Sequence, residues 1–94
     1  MCKKSDSRFN ELRITRAYIK LLCIPDGEHG ARMVSLAHIG NCEIRMFEVS
    51  QISSDDVPLF WMELFDHDVR SSVDSCVCHG IQEAVAAFED FISR

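Results

Sequence analysis

The chain has 94 residues, of which 47% are hydrophobic and 27% charged, and its formal net charge at pH 7 is −5. A chain of this length forms one domain with a small core. Excess negative charge disfavours binding to a phosphate backbone, and no apolar run approaches the ~20 residues needed to span a membrane. We therefore expect a single domain over residues 8–94 behind a disordered tail at 1–7, with neither a nucleic acid nor a membrane as partner.

Cysteine usage predicts the cellular compartment. The chain has five cysteines, an odd number, spread through apolar segments. This pattern indicates reduced thiols rather than a disulfide framework. The first residues also lack the apolar segment of a secretory signal. We expect a cytoplasmic protein in which Cys23 and Cys42 serve as small hydrophobic side chains.

The segment 8–23 predicts an N-terminal helix. Polar side chains at 5–7 can cap its first turn. On a helical wheel, one face is apolar and another is basic, with Ile14, Ala17, Tyr18 and Leu21 on the first and Arg13, Arg16 and Lys20 on the second. The β-branched Ile14, Thr15 and Ile19 leave a strand as the alternative.

Two β-hairpins follow this helix. Residues 25–30 and 50–58 have the composition of loops. Between them, Gly40-Asn41 predicts a two-residue turn that pairs Ala37 with Ile44, Ser35 with Met46 and Val34 with Phe47. A second turn centred at 69/70 pairs Leu64 with Ser75, Glu63 with Cys76 and Trp61 with Cys78. The two hairpins predict an antiparallel sheet of three to four strands.

The segment 80–93 predicts a C-terminal helix. Its apolar residues recur at helical spacing and form one stripe, namely Ile81, Ala84, Val85, Phe88 and Ile92. A helix with one apolar face packs that face on a sheet. The fold class is therefore α+β, an antiparallel sheet backed by a C-terminal helix and preceded by an N-terminal helix.

The predicted sheet has a face that the C-terminal helix cannot cover. Side chains alternate across a strand, which assigns Phe60, Met62, Leu64, Val73 and Val77 to the core face and Trp61, Glu63, Phe65, Asp74, Cys76 and Cys78 to the other. The second group is too apolar for an ordinary solvated surface. The N-terminal helix, a second copy of the chain or a foreign protein could cover it, and a larger enzyme could use the domain as an accessory subunit. We expect a non-enzymatic protein that binds a protein partner, forming a homodimer through Trp61, Glu63, Phe65, Cys76 and Cys78.

A thiol or metal site at Cys76, Cys78 and His79 is the alternative function. Cys78 precedes a helix N-terminus, where the helix dipole can lower a thiol pKa. However, structural zinc sites space their cysteines two to four residues apart and need a second ligand pair. Neighbouring strand residues in Asp66-His67-Asp68 point to opposite faces, so they do not predict a general base. We expect no catalytic residue, no resident metal and no cofactor.

The order helix, antiparallel strands, helix is similar to that of double-stranded RNA-binding domains. That family contacts phosphates through lysines at the start of its last helix. The corresponding stretch here, His79-Gly80-Ile81-Gln82-Glu83, has no lysine. The resemblance therefore extends to topology and does not imply RNA binding.

Overall fold

The described part of the chain forms a four-stranded antiparallel sheet with one helix before it and one after it. The computed structural model describes residues 6–24, 32–49 and 59–93. Its elements are α1 (Asp6–Cys23), β1 (Met33–Ile39), β2 (Cys42–Glu48), β3 (Leu59–Asp66), β4 (Ser71–His79) and α2 (Gly80–Ile92). The strands lie in the order β1-β2-β3-β4, each antiparallel to its neighbour. The predicted α+β class is confirmed, and the segment 8–23 is helical rather than extended. The two predicted loops, residues 1–5 of the predicted tail at 1–7, and the capping side chains at 5–7 lie outside the described residues. Asp6 and Ser7 of the predicted tail belong to α1.

Both helices pack on the same face of the sheet. Helix α1 contacts β1 and β2, α2 contacts β3 and β4, and the two helices contact each other. They enclose one core, formed by Ile14, Ala17, Leu21, Leu36, Ile44, Met46, Phe60, Met62, Leu64, Cys78, Ala84, Val85, Phe88 and Phe91. The N-terminal helix therefore does not cover the opposite face. Neither helix in the described part of the chain is long and apolar enough to cross a membrane.

The predicted helix faces are largely confirmed. In α1, Ile14, Ala17 and Leu21 are buried, and the basic residues lie outside the core. In α2, the buried stripe ends at Phe91, whereas Ile92 is exposed. Phe91 lies three residues after Phe88, so the two side chains share one face of the helix.

The first hairpin turns where the sequence predicts. Ile39 pairs with Cys42 across Gly40-Asn41, and Gly40 has a φ of 60°, a conformation that glycine adopts without strain. The predicted pair Ala37–Ile44 is confirmed. A bulge between Ser35 and Ala37 then shifts the register, so that Ser35 pairs with Arg45 and Val34 with Met46. The two predicted pairs beyond the bulge are wrong because Leu36 is an extra residue in β1.

The predicted register of the second hairpin is wrong by one residue. Trp61 pairs with Val77 and Glu63 with Ser75, and a bulge opposite Leu64 and Phe65 interrupts the ladder. A shift of one residue moves a whole strand to the other face, because side chains alternate. Cys76 and Cys78 consequently face the helices rather than sharing a face with Trp61, and Val73 and Val77 are exposed rather than buried.

Candidate functional site on the open face of the sheet

The face opposite the helices, the open face, carries an apolar row that crosses all four strands. Its members are consecutive cross-strand partners, Met33, Phe47, Trp61 and Val77. Trp61 and Met33 are each 37% exposed and Val77 is 49% exposed. Apolar cross-strand partners lie in contact distance of one another. The apolar row is therefore a continuous exposed strip at one end of the sheet.

A charged row lies next to the apolar row and is centred on Arg45 and Glu63, which face each other across β2 and β3. Arg45 Nη1 lies 3.5 Å from Glu63 Oε2, and the Arg45 guanidinium stacks 4.0 Å from the ring centroid of Phe65. Trp61 Nε1 lies 3.5 Å from Glu63 Oε1. The middle of the open face thus carries one positive and one negative side chain in contact.

A third group, the His–Glu cluster, consists of His38, Glu43 and His67. His67 Nε2 lies 2.8 Å from Glu43 Oε1, and His38 Nε2 lies 3.8 Å from Glu43 Oε2. One ligand atom from each residue lies within 4.8 Å of the other two. Nitrogen and carboxylate oxygen donors at this spacing suit a transition-metal ion.

Glu43 is a buried carboxylate on an otherwise open face. A hydrogen bond from Ser35, together with those from His67 and Arg45, lowers the pKa of Glu43 to about 2, against an opposing effect of burial. The carboxylate is therefore ionised throughout the physiological pH range. Arg45 Nε lies 3.2 Å from the same Oε1 atom that contacts His67, so Oε2 faces His38.

Two hairpin turns meet at this end of the sheet and fix the position of His67. Its backbone N–H donates to the carbonyl oxygen of Asn41 at 2.9 Å, and Asn41 Nδ2 donates to Asp68 at 2.7 Å. The Phe65 ring meets the imidazole of His67 edge to face, with centroids 5.0 Å apart. Asp66 accepts the backbone N–H of Asp68 at 2.8 Å, the turn-stabilising role that its position predicts.

The predicted interaction residues divide between the two faces. Trp61, Glu63 and Phe65 lie on the open face, as expected. Cys78 is only 2% exposed, and Cys76 packs against the same core. Cys76 and Cys78 therefore do not lie on the surface that carries Trp61, Glu63 and Phe65.

The three residues of the alternative site, Cys76, Cys78 and His79, lie in different surroundings. Burial, reinforced by neighbouring Cys76 and Glu83, raises the pKa of Cys78 to about 12, opposite to the shift expected from the helix dipole. The two sulfur atoms lie 3.8 Å apart, closer than alternating strand positions suggested. His79, in contrast, is exposed and lies 3.6 Å from Glu83. A protonated buried thiol is a poor nucleophile and a poor metal ligand.

The His–Glu cluster was missed in the sequence, although part of its signal was present. A turn at Gly40-Asn41 makes His38 and Glu43 cross-strand partners, as observed. In a meander of consecutive hairpins, the first and third turns lie at the same end of the sheet, which brings His67 to that pair. The spacing of the three residues along the chain carries no recognisable motif.

A groove of about 390 Å³ lies on the helix side, between α1 and β1. Its walls combine apolar and basic side chains, including Phe9, Leu12, Arg16 and Lys20. Arg13 also lines it, but its guanidinium already donates to the carbonyl oxygen of Leu36 at 3.1 Å.

Comparison of the chain with protein-family models, with curated proteins and with solved structures found no match.

Proposed function

We propose that the protein is a non-enzymatic binding module that forms a homodimer through the open face of its sheet. The observation that carries this proposal is the exposed apolar row across four strands, on a face that neither helix covers. Exposed apolar strips of this kind mark protein interaction sites. Free cysteines in the described chain, including exposed Cys23, support a cytoplasmic setting for this dimer.

The size of the open face supports a modest interface. Strands of seven to nine residues extend about 26 Å at a rise of about 3.3 Å per residue, and four strands span about 19 Å. The projected face is therefore about 500 Å², and burying two copies removes about 1,000 Å², the lower limit for a specific interface. We expect a reversible dimer with a dissociation constant in the micromolar range.

The side-chain pattern supports a second copy as the occupant. A two-fold axis that runs parallel to the strands, between β2 and β3, superimposes each row on the same row of the other copy. The strand order is reversed by this rotation, so β2 of one copy faces β3 of the other. Phe47 then faces Trp61 and Arg45 faces Glu63, which gives apolar and charge complementarity with a single surface.

Truncation of Trp61 tests this proposal. Trp61→Ala should weaken self-association by about 1–3 kcal/mol, since a large aromatic side chain that becomes buried in an interface often supplies much of its binding energy. Sedimentation equilibrium over a range of concentrations measures the change. Leu22→Ala is the control, because Leu22 is an exposed apolar side chain of α1, on the other side of the sheet.

The experiment has three distinct outcomes. A wild-type dimer that is weakened by Trp61→Ala but not by Leu22→Ala supports the open face as the interface. A wild-type protein that remains monomeric at high micromolar concentration rules out the homodimer. Equal weakening of self-association by both variants would show that the interface is not centred on the apolar row.

A further inference from the structure

We propose that the His–Glu cluster is a binding site for a divalent transition-metal ion of the zinc class, with His38, Glu43 and His67 as ligands. Two imidazole nitrogens and one carboxylate oxygen are a ligand set that zinc accepts with an open fourth position. Hard cations such as Ca²⁺ and Mg²⁺ prefer all-oxygen sites, so the two histidines favour zinc and its neighbours in the first transition series.

The present distances lie close to those of a coordinated ion. Bonds of about 2.0–2.1 Å in a tetrahedral site place ligand atoms about 3.3 Å apart. One ligand atom from each residue already lies within 4.8 Å of the other two. The two histidines contact different oxygens of Glu43, with His67 Nε2 2.8 Å from Oε1 and His38 Nε2 3.8 Å from Oε2. His38 and His67 are both exposed side chains, so their rings can rotate by the small amount needed.

The surroundings of the cluster hold its ligands in place. Glu43, the buried member, is fixed by Ser35 and by Arg45, while Arg45 is itself held by Glu63 and the Phe65 ring. The backbone of His67 is bonded to Asn41. Outer contacts of this kind orient metal ligands and raise affinity. A bound ion would replace the hydrogen bond between His67 and Glu43. Its positive charge would also balance the negative charge of the Glu43 carboxylate, which lies beside the two imidazoles.

The positive charge of Arg45 lies on one side of Glu43 only. The Arg45 Nε atom is nearest to Oε1, whereas Oε2 is directed towards His38. An ion bound between Oε2 and the two imidazoles lies on the solvent side of the carboxylate, away from the guanidinium. The arrangement therefore leaves room for a cation without displacing Arg45.

Titration of the metal-free protein with Zn²⁺ by calorimetry tests the site. We expect one Zn²⁺ ion per chain in the wild type, and a loss of affinity of at least about 100-fold in His38→Ala and in His67→Ala, since each removes one of three ligands. His79→Ala is the matched control, because His79 is also an exposed histidine beside a glutamate but lies outside the cluster. Circular dichroism confirms that each variant is folded.

A spectroscopic measurement separates this site from the cysteines. The Co²⁺-substituted protein should show d–d absorption without thiolate charge-transfer bands, because no sulfur atom is among the ligands. Repeating the Zn²⁺ titration with Trp61→Ala makes the result independent of dimer formation, and binding should persist. Absence of Zn²⁺ binding in the wild type, unchanged affinity in both histidine variants, or thiolate bands in the Co²⁺ spectrum would each overturn the proposal.

Discussion

At the scale of single residues, the environment of a side chain decides its chemistry more than its type does. The chain brings Cys76 and Cys78 close to a helix N-terminus, a position that the sequence associates with a reactive thiol. The structure places Cys78 in the core, on a strand that α2 covers, where burial raises its pKa to about 12. Glu43 shows the opposite case, because three hydrogen bonds outweigh burial and keep it ionised.

Thiol labelling tests whether Cys78 is buried and protonated. With a pKa of about 12, its thiolate fraction at pH 8 is about one in 10⁴, and it rises only as the pH approaches 12. Cys23 is exposed and has no such burial. We expect a thiol reagent at pH 8 to modify Cys23 rapidly and Cys78 only after denaturation, as mapped by mass spectrometry. Equal labelling rates in the native protein would contradict the buried position of Cys78.

At the scale of elements, the sequence predicts the features that depend on neighbouring residues along the chain, namely helix faces and tight turns. The helical stripes of α1 and α2 follow from periodicity, and the turn at Gly40-Asn41 follows from the need for a positive φ. All three are confirmed, except that Phe91 rather than Ile92 ends the stripe of α2. The two bulges depend on packing across strands and have no signal in the sequence. Each bulge displaces the strand register by one residue. In the second bulge, Val73 is the extra residue of β4, and beyond it Val77 lies on the open face and Cys78 faces the helices.

The end of α2 offers a matched pair of substitutions. Phe91 is buried in the core, whereas its neighbour Ile92 is exposed. Phe91→Ala should lower the free energy of unfolding by about 3–4 kcal/mol because it leaves a cavity, and Ile92→Ala by less than about 1 kcal/mol. Urea unfolding at one fixed protein concentration measures both. Similar losses for the two variants would show that the helix presents a different face to the sheet.

At the scale of the whole molecule, two helices on one side leave a sheet with two unlike surfaces. The open face carries the apolar row at one end, the charged row in the middle and the His–Glu cluster at the other end. Trp61, Glu63 and Phe65 could be assigned to this face from alternation alone. The contacts of Arg45 with Glu63 and of His67 with Glu43 could not be predicted in this way, because they come from the pairing of the two hairpins with each other. The net charge of −5 opposes association at long range, and salt screens this repulsion.

In the proposed dimer, the open face binds a second copy of the chain, and Arg45 of each copy faces Glu63 of the other. Arg45→Glu makes the charged row entirely acidic, and Glu63→Arg makes it entirely basic. Like charges then meet across the two-fold axis in each variant alone, whereas a mixed pair brings opposite charges together. Double variants of either substitution with Trp61→Ala serve as controls.

Sedimentation velocity of the two single variants, alone and mixed in equal amounts, measures this directly. We expect monomers for each variant alone and a restored dimer in the mixture. A dimer formed by either variant alone at wild-type strength, or a mixture that stays monomeric while the wild type dimerises, would contradict the proposed two-fold contact.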